Sequence, residues 1–175
     1  MAESERLFAQ LQKNQQARTL PPVHLWHPER EGQIDIQIDQ DGAWYHEGRP
    51  IRRQAMVDLF ATILRRDGDD YFLVTPAEKL RIEVADVPFI VIDLDVRGQV
   101  PDTDLLFTTN VGDHVMLDDA HPLSMDGNVP YILVRAGLEA RLNRSVYYRL
   151  VEYGVEESGV LYVVSRGSRF ALGNV

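Results

Sequence analysis

Cysteine is absent from this chain of 175 residues. Its absence removes disulfides, thiolate zinc sites and cysteine nucleophiles together, while leaving an exported location open. Long apolar runs are absent as well. The longest, Val87 to Ile92, falls far short of a membrane-spanning helix, and the opening MAESERLFAQLQK is amphipathic rather than a basic start with an apolar core. A soluble cytoplasmic protein is the expectation. Lysine is scarce, with only Lys13 and Lys79 among the 18 cations. Arginine supplies the rest, which suits planar bidentate anion recognition and equally a GC-rich genome. Positive charge is in deficit overall, at a formal net charge of −9. That argues against a general nucleic-acid binder, because displacing counterions from phosphates needs a basic surface. From Pro130 onward, however, six arginines face four glutamates, so residues 1–129 carry −11. The chain also lacks a Gly-x-Ser-x-Gly elbow, a P-loop and Gly-x-Gly-x-x-Gly, and with them the usual hydrolase and dinucleotide signatures.

What the chain does have is 45% hydrophobic residues, enough to fill one compact core or two small ones, and an internal repeat. Residues 69–82 read DDYFLVTPAEKLRI and residues 159–172 read GVLYVVSRGSRFAL. In each, an apolar strand runs into a hydroxyl residue (Thr75, Ser165), then a cation (Lys79, Arg169), then two alternating apolar positions, at a constant offset of 90. The repeat extends outward to a hairpin, helix, hairpin order, with Arg52 and Arg144 each just before its helix. The expected fold is therefore α+β, with duplicated hairpin-helix-hairpin units forming two packed, mainly antiparallel subdomains. Residues 1–20 would be a helix docking on the body, 21–86 the first subdomain and 87–175 a second, β-rich one.

Periodicity places the elements. A helix is expected over Ser4 to Gln16, and Ile34 to Ile38 alternates as a half-buried strand, paired through Asp39 to Gly42 with Trp44 to His46. Met56, Leu59, Phe60 and Ile63 predict a helix over Arg53 to Arg66, closed by Asp67-Gly68. Strands follow at 71–75, 80–84, 89–96, 105–109, 114–117, 131–135 and 138–142. Residues 121–130, HPLSMDGNVP, read as a loop. Asn143 caps a second helix over Ser145 to Tyr153, and a strand pair at 161–164 and 170–172 ends the chain.

The sharpest candidate set is the matched cations Arg52, Lys79, Arg144 and Arg169. Packed about an approximate two-fold they could converge on one anion, with helix amides adding donors; alternatively they pair with nearby acids such as Asp58 or Glu78. Thr109, Asn110, His121 and Ser165 are polar groups at strand ends and in turns, where binding residues gather and where the same side chains also simply cap turns. His24-x-x-His27 has ligand-like spacing, but it lies in a proline-flanked loop without a third ligand, so no metal site is expected. The carboxylates Asp93, Asp95, Asp35 and Glu47 read as the wet faces of strands rather than an acid–base pair. Neither catalytic residues nor a cofactor are expected.

Several separated segments carry a family resemblance: Trp26-His27-Pro28, Asp41-Gly42 with Trp44 and His46, Leu64 to Asp67, Val74-Thr75-Pro76 with Glu78-Lys79, and Pro88-Phe89. Thr109-Asn110, His121-Pro122, Pro130-Tyr131, Arg135 with Gly137-Leu138, and Ser165-x-Gly167 with Phe170 and Leu172-Gly173 extend it over nearly the whole chain. These resemble the proteobacterial family known as domain of unknown function 1285. The resemblance implies a duplicated α+β architecture whose second subdomain is loosely like a pleckstrin-homology fold. It also implies a site for a nucleotide-like ligand between the subdomains, adds Arg135 to the candidates, and brings no activity with it. The expected function is a non-enzymatic module that binds a nucleotide-like or phosphorylated small molecule in signal transduction. The alternatives are an enzyme on such a ligand, with His121 or His27 moving the proton, and a protein-binding scaffold using Tyr147, Tyr148 and Tyr153.

Overall fold

The computed structural model describes residues 20–175; the helix expected over Ser4 to Gln16 lies outside them. The chain divides into two compact units at Pro88/Phe89, with Ala136–Leu138 belonging to the first. The first unit is built on one six-stranded sheet. Its elements are β1 (Arg30–Ile38), β2 (Trp44–His46), β3 (Arg49–Pro50), helix α1 (Gln54–Thr62), β4 (Leu64–Asp67), β5 (Asp70–Val74) and β6 (Glu78–Val84), in sheet order β3-β2-β1-β6-β5-β4. Neighbours run antiparallel except β1 and β6, which are parallel. The alternation that marks β1 has its usual cause: Ile36 and Ile38 are buried while Asp35 and Gln37 face water. Helix α1 buries Val57 and Ala61, and its Phe60 ring stacks on Trp44 at 6.2 Å.

Helix α1 is shorter than expected. It stops at Thr62, whose hydroxyl donates back to the Leu59 carbonyl at 2.6 Å, and residues 64–67 leave the helix to form β4 against β5. Two of the residues that suggested the longer helix, Met56 and Leu59, are exposed. Leu64 is buried instead, and Arg65 makes four hydrogen bonds that only the extended backbone permits: two to Asp67, and one each to the Val23 and Trp26 carbonyls at 2.9 and 2.8 Å. Ladder pairing and those bonds outweigh helical spacing, as tertiary context commonly does.

The second unit holds two sheets. One contains β7 (Phe89–Gln99), β8 (Asp102–Thr109), β9 (His114–Met116), β10 (Leu123–Asp126), β11 (Val129–Arg135) and β12 (Leu138–Leu142), in order β10-β11-β12-β7-β8-β9. Here too one joint, β12 with β7, is parallel. Helix α2 (Arg144–Val151) follows, then the meander β13 (Val155–Glu157), β14 (Val160–Ser165) and β15 (Ser168–Asn174). Asn143 caps α2 as expected, its side-chain oxygen accepting from the Val146 amide at 2.8 Å. Strand β10 corrects the loop expected at 121–130: Pro122 and Pro130 suggested irregular chain, but Leu123 to Asp126 pair with Val129 to Ile132. The core is Phe89, Val91, Leu94, Leu105, Phe107, Leu117, Ile132 and Leu150, all at most 1% exposed. The fold is thus α+β with two β-rich units. Among the described residues no helix is long and apolar enough to cross a membrane.

Candidate functional site

The polar residues marked in the sequence fall into three groups once each is placed. The first group is spent on structure. Ser165 is fully buried, and its hydroxyl accepts the Leu105 amide at 2.9 Å, helping to join the meander to β8. Thr109 is buried and accepts the Asp113 amide, while the Asn110 side chain accepts the Ile90 amide at 3.0 Å. The His121 ring nitrogen Nδ1 lies 3.2 Å from the Leu133 carbonyl. Arg135 sits over the Phe89 ring at 5.3 Å and pairs with Asp113 at 3.6 Å. Strand register thus gathers Thr109, Asn110 and Arg135 around the turn between β8 and β9.

The second group is the pair of hairpin cations. Lys79 lies 2.8 Å from Asp67 and 3.8 Å from Glu31, with its ammonium 4.2 Å from the Phe72 ring centre. Arg169 pairs with Glu157 and covers the Tyr162 ring at 5.8 Å. Acid, aromatic and cation therefore recur on successive strands of both meanders, each member 90 residues after its counterpart. Burial raises the Asp67 carboxyl, but Arg65 and Lys79 outweigh it, and the group is held below the ordinary carboxylate value.

The third group is free. Arg52 and Arg144 are exposed, and neither side chain has a partner among the described residues. They stand at unlike helix starts. Asn143 satisfies an amide of α2 through its side chain, whereas Arg53 at the α1 N-cap makes no side-chain cap. Arg52 also has company. It lines a cavity of about 360 Å³ with His46, Glu47, Arg49, Pro50, Ile51, Arg53 and Met56. None of the four charged residues there, nor His46, makes an ion pair or side-chain hydrogen bond with any described residue.

Local chain geometry explains the grouping. Glu47 and Gly48 both take positive φ, 51° and 75°, the conformation of a two-residue type I′ turn, for which glycine is suited. That turn sets His46 opposite Arg49 in register, and the Ile51 amide, bonded to the Trp44 carbonyl at 2.8 Å, aims the chain into α1. Arg49 and Arg53 were not among the candidate ligand residues, and His46 entered only as part of a family motif. The signal was there in the run Arg49-Pro-Ile-Arg-Arg, directly ahead of a helix start. His24 and His27, both exposed, flank the turn pinned by Arg65, and no group of three or more metal-ligating side chains occurs among the described residues.

The class is that of an α+β protein built from two β-rich units. Residues 21–87 match the domain of unknown function (DUF1285), N-terminal domain, and residues 88–172 the protein of unknown function (DUF1285), C-terminal domain. The chain belongs to the DUF1285 family. It is similar to a DUF1285 family protein from Silicibacter pomeroyi DSS-3, at 44% identity over 90% of each chain with a TM-score of 0.84. It is also similar to one from Shewanella baltica OS155, at 30% identity over 67% of this chain and 90% of that one, with a TM-score of 0.56. No curated protein matches it.

Proposed function

We propose that this protein is a non-enzymatic binding module for a phosphorylated, nucleotide-like small molecule, acting in signal transduction, and that its two units descend from one duplicated hairpin-helix-hairpin element. The observation that carries the binding reading is the cleft: Arg49, Arg52, Arg53 and His46 line one cavity and have no side-chain partner among the described residues. Guanidinium groups match phosphate bidentately and are weakly hydrated, so unpaired arginines gathered in a concavity favour an anion over water. The duplication is supported by the matching acid–aromatic–cation sets, Asp67 with Phe72 and Lys79, and Glu157 with Tyr162 and Arg169.

The test is thermal unfolding with inorganic phosphate and with mono-, di- and cyclic nucleotides at millimolar concentration. A ligand that binds only the folded chain raises the midpoint. We expect a rise with at least one phosphorylated compound, and about tenfold or more weaker binding in Arg52→Ala, the loss of one charge-assisted hydrogen-bonding group. No rise with any of them would remove the reading.

A further inference from the structure

The cleft contains one residue that does not suit a bare anion. Glu47 places a carboxylate in the same cavity as Arg49, Arg52 and Arg53, yet it pairs with none of them among the described residues. Its position is held from the backbone: the Glu47 amide donates to the Asp35 carbonyl at 3.0 Å, and the Glu47–Gly48 turn is closed by the pairing of His46 with Arg49. An ionised carboxylate is an acceptor only. Beside a bound phosphate it repels the ligand unless that ligand also presents a hydroxyl or amino group for it to accept.

The rest of the lining bears on the same question. Pro50, Ile51 and Met56 form an apolar part of the wall, which suits a carbon skeleton and offers nothing to inorganic phosphate. The volume, about 360 Å³, stands at the lower end of small-molecule sites, which run from roughly 300 to 1,000 Å³. That matches a small phosphorylated compound.

We infer that the cleft selects a phosphorylated polyol, such as a sugar phosphate, with the arginines holding the phosphate and Glu47 accepting a hydroxyl of the skeleton. Glu47 is then the residue that sets specificity against inorganic phosphate. The inference rests on the binding reading above. It adds a chemical requirement that the arginines alone do not impose.

Isothermal titration of the full chain with ribose 5-phosphate and with inorganic phosphate tests it, comparing wild type, Glu47→Gln and Arg52→Ala. Glutamine keeps the size of glutamate on an exposed turn, and an unchanged circular dichroism melt establishes that the variant folds. Wild type is expected to favour ribose 5-phosphate. In Glu47→Gln that preference should shrink roughly tenfold, the worth of one charge-assisted hydrogen bond, because the sugar phosphate weakens while phosphate, freed from repulsion, tightens. Arg52→Ala should weaken both. If wild type binds both probes equally, or if Glu47→Gln leaves their ratio unchanged, the selectivity inference is wrong while anion binding stands. If wild type binds neither, this inference fails, and the binding reading then stands or falls on the nucleotide panel above.

Discussion

At the scale of single residues, what separates Arg52 from Lys79 is the company each keeps. Both belong to the matched cation set that the repeat marks, and a sequence displays charge without displaying partners. Lys79 is neutralised by Asp67, a residue on a strand two places away in the sheet, and Arg169 by Glu157 in the same arrangement. Arg52 has no such neighbour among the described residues. Asp67 permits a test at this scale. Its carboxyl titrates below the ordinary value in the fold, with burial opposing and Arg65 and Lys79 prevailing. The stability it contributes is therefore present above the unfolded value, 3.8, and is lost as pH falls through the lower folded value. Asp67→Asn should cost about 1 kcal/mol at neutral pH, discounted for a side chain 38% exposed, with the difference from wild type closing under strong acid. Urea unfolding from pH 7 to pH 2.5 measures this; a deficit as large at pH 2.5 as at pH 7 would contradict it.

At the scale of elements, local signals served well where local interactions decide. Asn143 before α2 is a cap whose bond forms within four residues, and it is found as expected. The alternation of β1 is a local pattern on a half-buried surface. Residues 64–67 went the other way, because Leu64-Arg-Arg-Asp fits a helix face and a strand equally well. Pairing with β5 and the reach of Arg65 to the Val23 and Trp26 carbonyls settled it. Strand β10 was hidden for a related reason: its partner β11 was legible, but prolines at either end of the segment suggested a loop. Gly98 near the end of β7 is a further element-level constraint. It has φ +84°, and an added Cβ would lie 2.2 Å from the Asp102 carbonyl oxygen. Gly98→Ala should destabilise by about 2 kcal/mol or more, combining left-handed strain with a backbone clash; a melting midpoint equal to wild type would show that the β7–β8 hairpin relaxes freely.

At the scale of the whole molecule, each unit has one parallel joint, and these joints bring together residues far apart in the chain. Arg30 pairs with Glu78 in the first unit and Phe89 with Ala140 in the second. Such pairing must close long loops before it is rewarded, so refolding is expected in the range of about 1 ms to 1 s rather than microseconds. Stopped-flow dilution from denaturant checks it, and complete recovery within the instrument's dead time would contradict it. Periodicity, capping and separated motifs were sufficient to establish the α+β class, most strand positions and the family, because those depend on neighbours a few residues away or on the motifs themselves. Which polar residues are free to bind was decided only in the folded chain. The partners that occupy Lys79, Arg169, Ser165 and Asn110 lie across strand registers, and the turn at Glu47–Gly48 is what gathers His46 and Arg49 into a cleft with Arg52 and Arg53. Charge is a property of a residue, but availability is a property of the contacts that tertiary packing leaves unmade.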